Sequence, residues 1–579
     1  MFKNRATFRS RILSVAVISA LGVTGAAVAA SAVQRPAAQF GVLTRATTLN
    51  RGDVVKSAVP LTKQVHVTVT LKLRDEAGMK AFLVRPAASR GVMSQAQLAN
   101  HLPTQAQAQA VANYLKSAGF TDVKISANRM LVNATGSAAT VQTAFKTPLV
   151  SVHTSDGRSA FANSAAIQIP ASLQGTVQAV LGLQTVHKAH TMAQTNATRV
   201  GVGGHMPTEF ADIYGASSLP AAADVDAAVW GWGSMQNTVD DLDAFMTNTG
   251  LSAGTVNVVC TDTNGIDFNT GAGLGGISIG DPTCNGNVDQ GEVEWAMDSQ
   301  SIMAMSGGVK SLTFYAAYGG YNTTITDALN EIVTPTQGEP MAQVINASFG
   351  ECERYQDSNQ GGDGSMQSND ALFQIAVSQG QTFSVSTGDS GSDECSDGGL
   401  NSASYPASSP WVVAVSGTTL RASDTVWARE NVWLGAGGSP SSAEAAQSWQ
   451  TALTYGTYAG QRGPDVAFDA NPSSGEMVLL GASTGSPVYE QIGGTSLAAP
   501  LFSGSWARIL QGNPALGFAA PNLYTLPAAV LHDVRAGNNG GYVAKPGWDW
   551  ATGLGSFDVG RAAAILAPSQ PAVRRNASR

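Results

Sequence analysis

The chain has 579 residues, 43% of them apolar and 13% charged, with 63 glycines, four cysteines and a net charge of −8. That balance suits a loop-rich globular protein, excludes a disordered chain and leaves room for a large core and more than one domain. Charge is unevenly spread: residues 1–199 hold 21 Lys and Arg against 5 Asp and Glu, and the rest of the chain holds 12 against 36. The basic side chains are scattered and lack interleaved aromatics, so no nucleic-acid partner is expected. Attraction between the basic third and the acidic remainder is expected instead.

Lys3, Arg5, Arg9 and Arg11 precede an apolar run from about Ile12 to Ala30 that closes on small residues, Ala27-Val28-Ala29 and Ala30-Ser31-Ala32. A basic head, an apolar middle and an A-x-A-like exit predict a secretory signal peptide over residues 1–32. Glycine, threonine and alanine dilute the run and argue against a membrane anchor. The protein is therefore expected to be secreted or periplasmic, with no membrane contact once the leader is removed. In an exported chain the even set Cys260, Cys284, Cys352 and Cys395 predicts disulfides, with three pairings open.

Residues 33–195 predict a separate α+β domain. Val65–Leu73 alternates with period two, as a strand does; Gln105–Ala118 and Ala138–Phe145 have helical patterns. Val123–Ser126 and Arg129–Asn133 are short strands, and Ser164–Gly182 closes the unit. This β-α-β-β-α order is that of a ferredoxin-like fold. The polar stretch from His187 to Arg199 has no apolar periodicity and predicts a cleavable linker, extending to about residue 204.

From about Val200 to residue 567, strands and helices alternate. Candidate buried strands are Ala227–Gly233, Val256–Thr261, Leu312–Tyr318, Gln343–Phe349, Thr382–Thr387, Trp411–Val415 and Met477–Leu480. Helical stretches include Glu294–Met305, Ile325–Ile332, Asp370–Ser378 and Leu497–Leu510. Short apolar runs separated by helices predict an α/β unit, a parallel sheet with helices on both faces. Residues 568–579 form a polar tail.

The chemistry concentrates in Gly493-Gly494-Thr495-Ser496-Leu497-Ala498-Ala499-Pro500. Glycines let backbone approach Ser496, and amides at a helix start can face a developing negative charge. No histidine lies between His205 and Ser496, and none sits in an H-G-T-H-like segment, so the group that activates Ser496 is expected to be a carboxylate. Glu294 and Asp298, at i and i+4, share one helix face and should share a proton. Glu292 falls about half a turn away and reads as surface. Asp389, in Gly388-Asp389-Ser390-Gly391, follows a predicted strand at the end where open parallel sheets bind ligands. Taken alone that string is a turn signature.

The serine segment resembles the nucleophile segment of subtilase-clan serine peptidases, and its doubled glycine with S-x-A-A-P resembles the sedolisin branch. That resemblance implies a subtilisin-like parallel sheet preceded by an activation prodomain. It implies a serine-carboxyl endopeptidase in which Ser496 is the nucleophile, Glu294 the base, Asp298 its partner and Asp389 an oxyanion donor. Ser348, Phe349 and Gly350 resemble the strand that pairs with substrate backbone, and Glu351 and Ser390 occupy variable specificity positions. Cys352 and Cys395 resemble positions bridged in bacterial members. One structural calcium ion is implied, held by Asp533 and Asp549 side chains and by carbonyls of Val534, Lys545 and Gly547. Protein or peptide substrates, the prodomain as internal inhibitor and a monomeric state follow from the same resemblance. Alternatives are a tripeptidyl-peptidase of the same family, a carboxylate-dyad glycosidase and a non-catalytic binding protein.

Overall fold

A computed structural model describes residues 39–85, 90–195, 203–261, 278–284, 291–451 and 460–567. The leader over residues 1–32, the tail from 568 and the linker between 196 and 202 lie outside the described residues. Among the described residues no helix is long and apolar enough to cross a membrane.

The N-terminal unit is the expected ferredoxin-like fold. Its sheet runs in the order Thr121–Ile125, Leu131–Ser137, Gln64–Leu71, Val177–Leu181, all antiparallel. Helices Gln105–Ser117 and Ala138–Phe145 begin on Thr104 and Ser137, whose hydroxyls accept from amides of the first turn. The strand Gln64–Leu71 explains how the unit docks. Val65, Val67, Val69 and Leu71 enter the prodomain core with Val111, Leu115, Val141 and Phe145. The alternate residues His66, Thr68 and Thr70 are equally buried and meet the peptidase unit. Thr68 donates to Asp327 (3.2 Å), Thr70 bonds Ser368 (2.7 Å) and His66 lies 3.6 Å from Asp327. A second sheet of Val54–Ala58, Leu149–His153 and Ser159–Asn163 has no counterpart in the sequence reading, because its strands are short and partly exposed.

The larger unit is built on seven parallel strands in the order Ala253–Cys260, Val309–Ala317, Ala222–Trp232, Val344–Ala347, Thr382–Ser386, Val413–Ser423, Val466–Asp469. The chain starts at Ala222–Trp232, goes out to Ala253–Cys260, returns to place Val309–Ala317 between those two strands, then crosses to the other side and builds outward from Val344–Ala347. The reversal falls between Ala222–Trp232 and Val344–Ala347, where open α/β sheets form a crevice at their carboxyl ends. Helices Glu292–Ser306 and Thr495–Gly512 pack together on one face, and Asn322–Val333 with Ser365–Ser378 on the other, beneath the prodomain.

One sequence expectation is corrected here and one helix is added. Met477–Leu480 is a strand but pairs antiparallel with Val488–Gly493 in a hairpin, outside the parallel sheet, whose seventh strand is Val466–Asp469. An apolar run of four or five residues has no signal for the direction of its neighbour. The helix Gln236–Thr249, mostly polar, escaped notice because only a narrow stripe with Leu242 and Phe245 is buried.

Candidate active site

The helix Glu292–Ser306 is buried from Glu294 to Ser306, so its carboxyls are held inside the protein. Trp295 sets its rotation: the indole donates to the Trp232 carbonyl (3.0 Å) and packs edge-on against the Trp232 ring at 5.2 Å. Gly231 permits this, since a Cβ there would stand 2.8 Å from the Trp295 ring. With the helix so turned, Glu294 is 1% exposed and Asp298 0%. Burial, and for Glu294 the neighbouring Asp298 charge, push both carboxyls well above the usual range. Ser348 donates to Asp298 Oδ1 at 2.6 Å and itself accepts from Asn346 at 2.8 Å. Glu294 Oε1 has no hydrogen-bond partner among the described residues. Glu292, expected at the surface, is half-buried and accepts from Asn237 (3.1 Å).

Ser496 is the second residue of the helix Thr495–Gly512 and is fully buried. Its hydroxyl lies 3.5 Å from the Ser348 carbonyl and is among the groups that favour ionised Glu294. Pro500, inside the helix, lacks the amide that would bond the Ser496 carbonyl four residues back. Ser348 Oγ lies 3.3 Å from that carbonyl while its single proton goes to Asp298, so one side chain stands between the serine's backbone and Asp298.

Asp389 leaves the strand Thr382–Ser386 in a turn held from both sides. Thr495 donates to Asp389 Oδ1 through its amide (2.7 Å) and hydroxyl (2.9 Å), while Ser390 donates its amide to Glu394 (2.8 Å). Burial pushes the Asp389 carboxyl up to about 7, outweighing the Thr495 hydrogen bonds that lower it. Glu394, buried and also raised, packs on Gly388 so closely that a Cβ there would stand 2.1 Å from its carboxyl carbon. The Thr495 contact was not legible beforehand, because its partner Asp389 lies on another loop.

The cleft is occupied by the protein's own chain. His190–Thr191 pairs antiparallel with Phe349–Cys352, His190 opposite Gly350 and Thr191 opposite Phe349. Gln194–Thr195 pairs antiparallel with Val488–Gly493, Gln194 opposite Gly493. Between them the amides of Met192 (3.0 Å) and Ala193 (2.7 Å) both donate to Glu294 Oε2. Residues 187–195, expected as the first part of a cleavable linker, therefore include two short strands that pair with the peptidase unit.

The remaining expected residues separate into three places. Glu351 is buried, 3.7 Å from His187, whose ring stacks on Tyr355 at 4.0 Å. Ser390 is exposed at the cleft mouth. Cys352–Cys395 and Cys260–Cys284 are disulfides, the first tying the strand beside His190 to the loop after Asp389. The set Asp533, Val534, Lys545, Gly547 and Asp549 is drawn into one loop far along the chain. Asp549 accepts from the Lys545 amide (2.9 Å) and Asp533 from the Gly547 amide (3.1 Å). The donor set is oxygen only, which suits a hard cation, and the two carboxylates converge on one turn. Their oxygens are now spent on amides and on Arg535 (2.6 Å). Among the described residues no group of three or more His, Cys, Asp or Glu side chains converges to hold a metal.

Fold and site together define the class: a serine-type peptidase on a subtilisin-like sheet, with carboxyls beside the serine. The Pro-kumamolisin activation-domain model matches residues 52–186 and the Subtilase family model residues 268–548. Xanthomonalisin of Xanthomonas sp. (strain T-22) is 37% identical over 570 residues, covering 86% of this chain and 65% of that protein. Sedolisin of Pseudomonas sp. (strain 101) is 37% identical over 558 residues, covering 88% of this chain and 89% of that protein. The solved structure of Pseudomonas sedolisin complexed with two molecules of pseudo-iodotyrostatin superposes with a TM-score of 0.54 at 37% identity, covering 63% of this chain and 98% of that one. The chain belongs to the sedolisin family of serine-carboxyl peptidases.

Proposed function

We propose that the chain is the precursor of a secreted, acid-acting endopeptidase that cleaves proteins or peptides through an acyl-enzyme. Ser496 attacks the scissile carbonyl; Glu294 takes the hydroxyl proton and returns it to the leaving amine; Asp298, held by Ser348, supports Glu294 by sharing charge. Asp389 and the Ser496 amide stabilise the oxyanion. A carboxylate has no proton to donate, so Asp389 must be protonated. Its value of about 7 in the precursor makes it a donor below neutral and silences it as pH rises through that value.

One observation carries this reading: a continuous peptide segment lies through the cleft, its backbone bonded to Glu294 and its flanks paired with two different strands. Chain continues on both sides of the carboxyls, which supports endopeptidase action over removal of tripeptides from a free terminus. A glycosidase would have no use for strand-pairing edges. The prodomain is the internal inhibitor, and its domain spans residues 33–195. Phe349, Gly350, Glu351 and Ser390 border the substrate path. In the loop of Asp533 and Asp549, those carboxylates with the Val534, Lys545 and Gly547 carbonyls would hold calcium, which when bound stabilises that loop.

The test is digestion of a protein mixture at pH 3 to 8 with mass-spectrometric mapping of the cut sites. Internal cuts confined to acid, absent in Ser496→Ala and Glu294→Gln, support the reading. Tripeptides released from free termini, or unchanged digestion by Ser496→Ala, would overturn it.

A further inference from the structure

We propose that Met192–Ala193 is the first bond this precursor cuts, and that it does so in its own active site; the assignment rests on the peptidase reading above. Upstream, the segment is pinned by His190 opposite Gly350 and Thr191 opposite Phe349. Downstream, it is pinned by Gln194 opposite Gly493 and Thr195 opposite Ile492. Only Met192 and Ala193 lie between the two ladders, so their peptide bond crosses the cleft.

Both ends of that bond meet the groups that would act on it. The nitrogen that must leave, Ala193 N, donates to Glu294 Oε2 at 2.7 Å. The carbonyl oxygen of Met192 and Asp389 Oδ2 crowd one point beside Gly494, 2.0 and 2.6 Å from where a Cβ would stand. Gly494 is needed there twice over, for that approach and for its φ of +109°. Asp389 Oδ2 accepts no hydrogen bond among the described residues, although the Gln194 side chain acts on the same carboxyl, and a proton on Oδ2 would be placed on the side of Gly494 that the Met192 oxygen also approaches. The Met192 side chain is 3% exposed, with its terminal methyl against Gly350, as a residue seated in a pocket should be. The Thr191–Met192 amide also reaches Glu294 (3.0 Å), but the oxygen beside Gly494 is Met192's.

The step balances within the molecule. Ser496 Oγ bonds to the Met192 carbonyl carbon as its proton passes to Glu294. The carbon–nitrogen bond breaks as Glu294 protonates the Ala193 nitrogen. Water then hydrolyses the Met192 ester. The products are a prodomain ending at Met192 and a peptidase beginning at Ala193.

The full chain, purified near neutral pH and shifted to acid, should be sampled over time by intact mass and N-terminal sequencing, with casein digestion followed in parallel. The earliest new terminus should be Ala193, formed at a rate independent of protein concentration. Ala193→Pro, which removes the donated amide hydrogen, should slow that product at least about a hundredfold. As a check free of folding effects, a synthetic peptide of residues 187–198 given to the processed enzyme should be cut between Met and Ala. Casein digestion with a first cut elsewhere, or a peptide cut at another bond, overturns the assignment alone. No cut and no casein digestion overturns both it and the peptidase reading.

Discussion

The prodomain has five carboxylic residues, Asp53, Asp75, Glu76, Asp122 and Asp156, none of them buried, while its His187 is 3% exposed. The peptidase unit inverts this, burying Glu294, Asp298, Glu351, Glu353, Glu394, Asp469 and Glu476. Burial disfavours the charged form in both units, but the charged form is the protonated one for histidine and the deprotonated one for a carboxyl. The two regions should therefore answer acid with opposite sign. Glu476 is pushed up to about 8 and Asp469 to about 7, by burial first. The folded peptidase keeps protons that the unfolded chain gives up above the ordinary carboxylate range. That stability is full in acid and is lost as pH rises through about 7 to 8. His187 runs the other way: burial lowers it, against the Thr48 carbonyl and the charges of Asp363 and Asp53, with Arg158 opposing them. Its contribution to docking is intact above the ordinary histidine value of 6.5 and is lost as pH falls through the lowered one. Acid firms the enzyme and loosens its cover.

Experiments can break this contrast in order of effect. Ser496→Ala should lower turnover by about a millionfold and leave the precursor full length in acid, read by peptide hydrolysis and gel mobility. A processed Ser496→Ala protein in pure preparation would end the idea of self-cleavage. Asp389→Ala should lower turnover by about a hundred- to a thousandfold while remaining folded. Asp389→Asn, which donates at any pH, should keep more activity and move the alkaline limb of the pH profile upward if Asp389 sets that limb. An unmoved limb in Asp389→Asn that shifts in Asp298→Asn would assign it to the Glu294–Asp298 pair.

Smaller effects sharpen the comparison itself. Processed enzyme, inhibited at Ser496, should melt higher at pH 4 than at pH 8, and Glu476→Gln should flatten that difference; a higher melting point at pH 8 would remove the proposed sign. In a Ser496→Ala background, His187→Gln should hold the prodomain docked to a lower pH than the parent, measured by size exclusion of a nicked precursor. An unchanged release pH would relieve His187 of that role. Smallest of all, chelator should lower the melting temperature by a few degrees while leaving initial turnover nearly unchanged, and Asp533→Ala should abolish that shift.

By itself the sequence determined the parallel-sheet peptidase and the ferredoxin-like unit before it, and it proposed the residues of the site's core. Each left a local pattern: period-two valines from Val65, a Gly-Gly-Thr-Ser turn into a helix, a Glu-Trp-x-x-Asp spacing on one face. Such patterns survive in sequence because helices and strands space side chains regularly. Tertiary structure decided what depends on distant partners. It turned the strand Glu476–Leu480 out of the main sheet, bridged Cys260 with Cys284, and set Ser348 between Asp298 and the Ser496 carbonyl that Pro500 frees. It also drew the polar segment after His187 into the cleft, where backbone amides, not side chains, meet Glu294. Every residue but proline carries an amide, so a contact made by backbone leaves no mark in sequence; only the fold around Glu294, Gly350 and Gly493 selects which amides arrive.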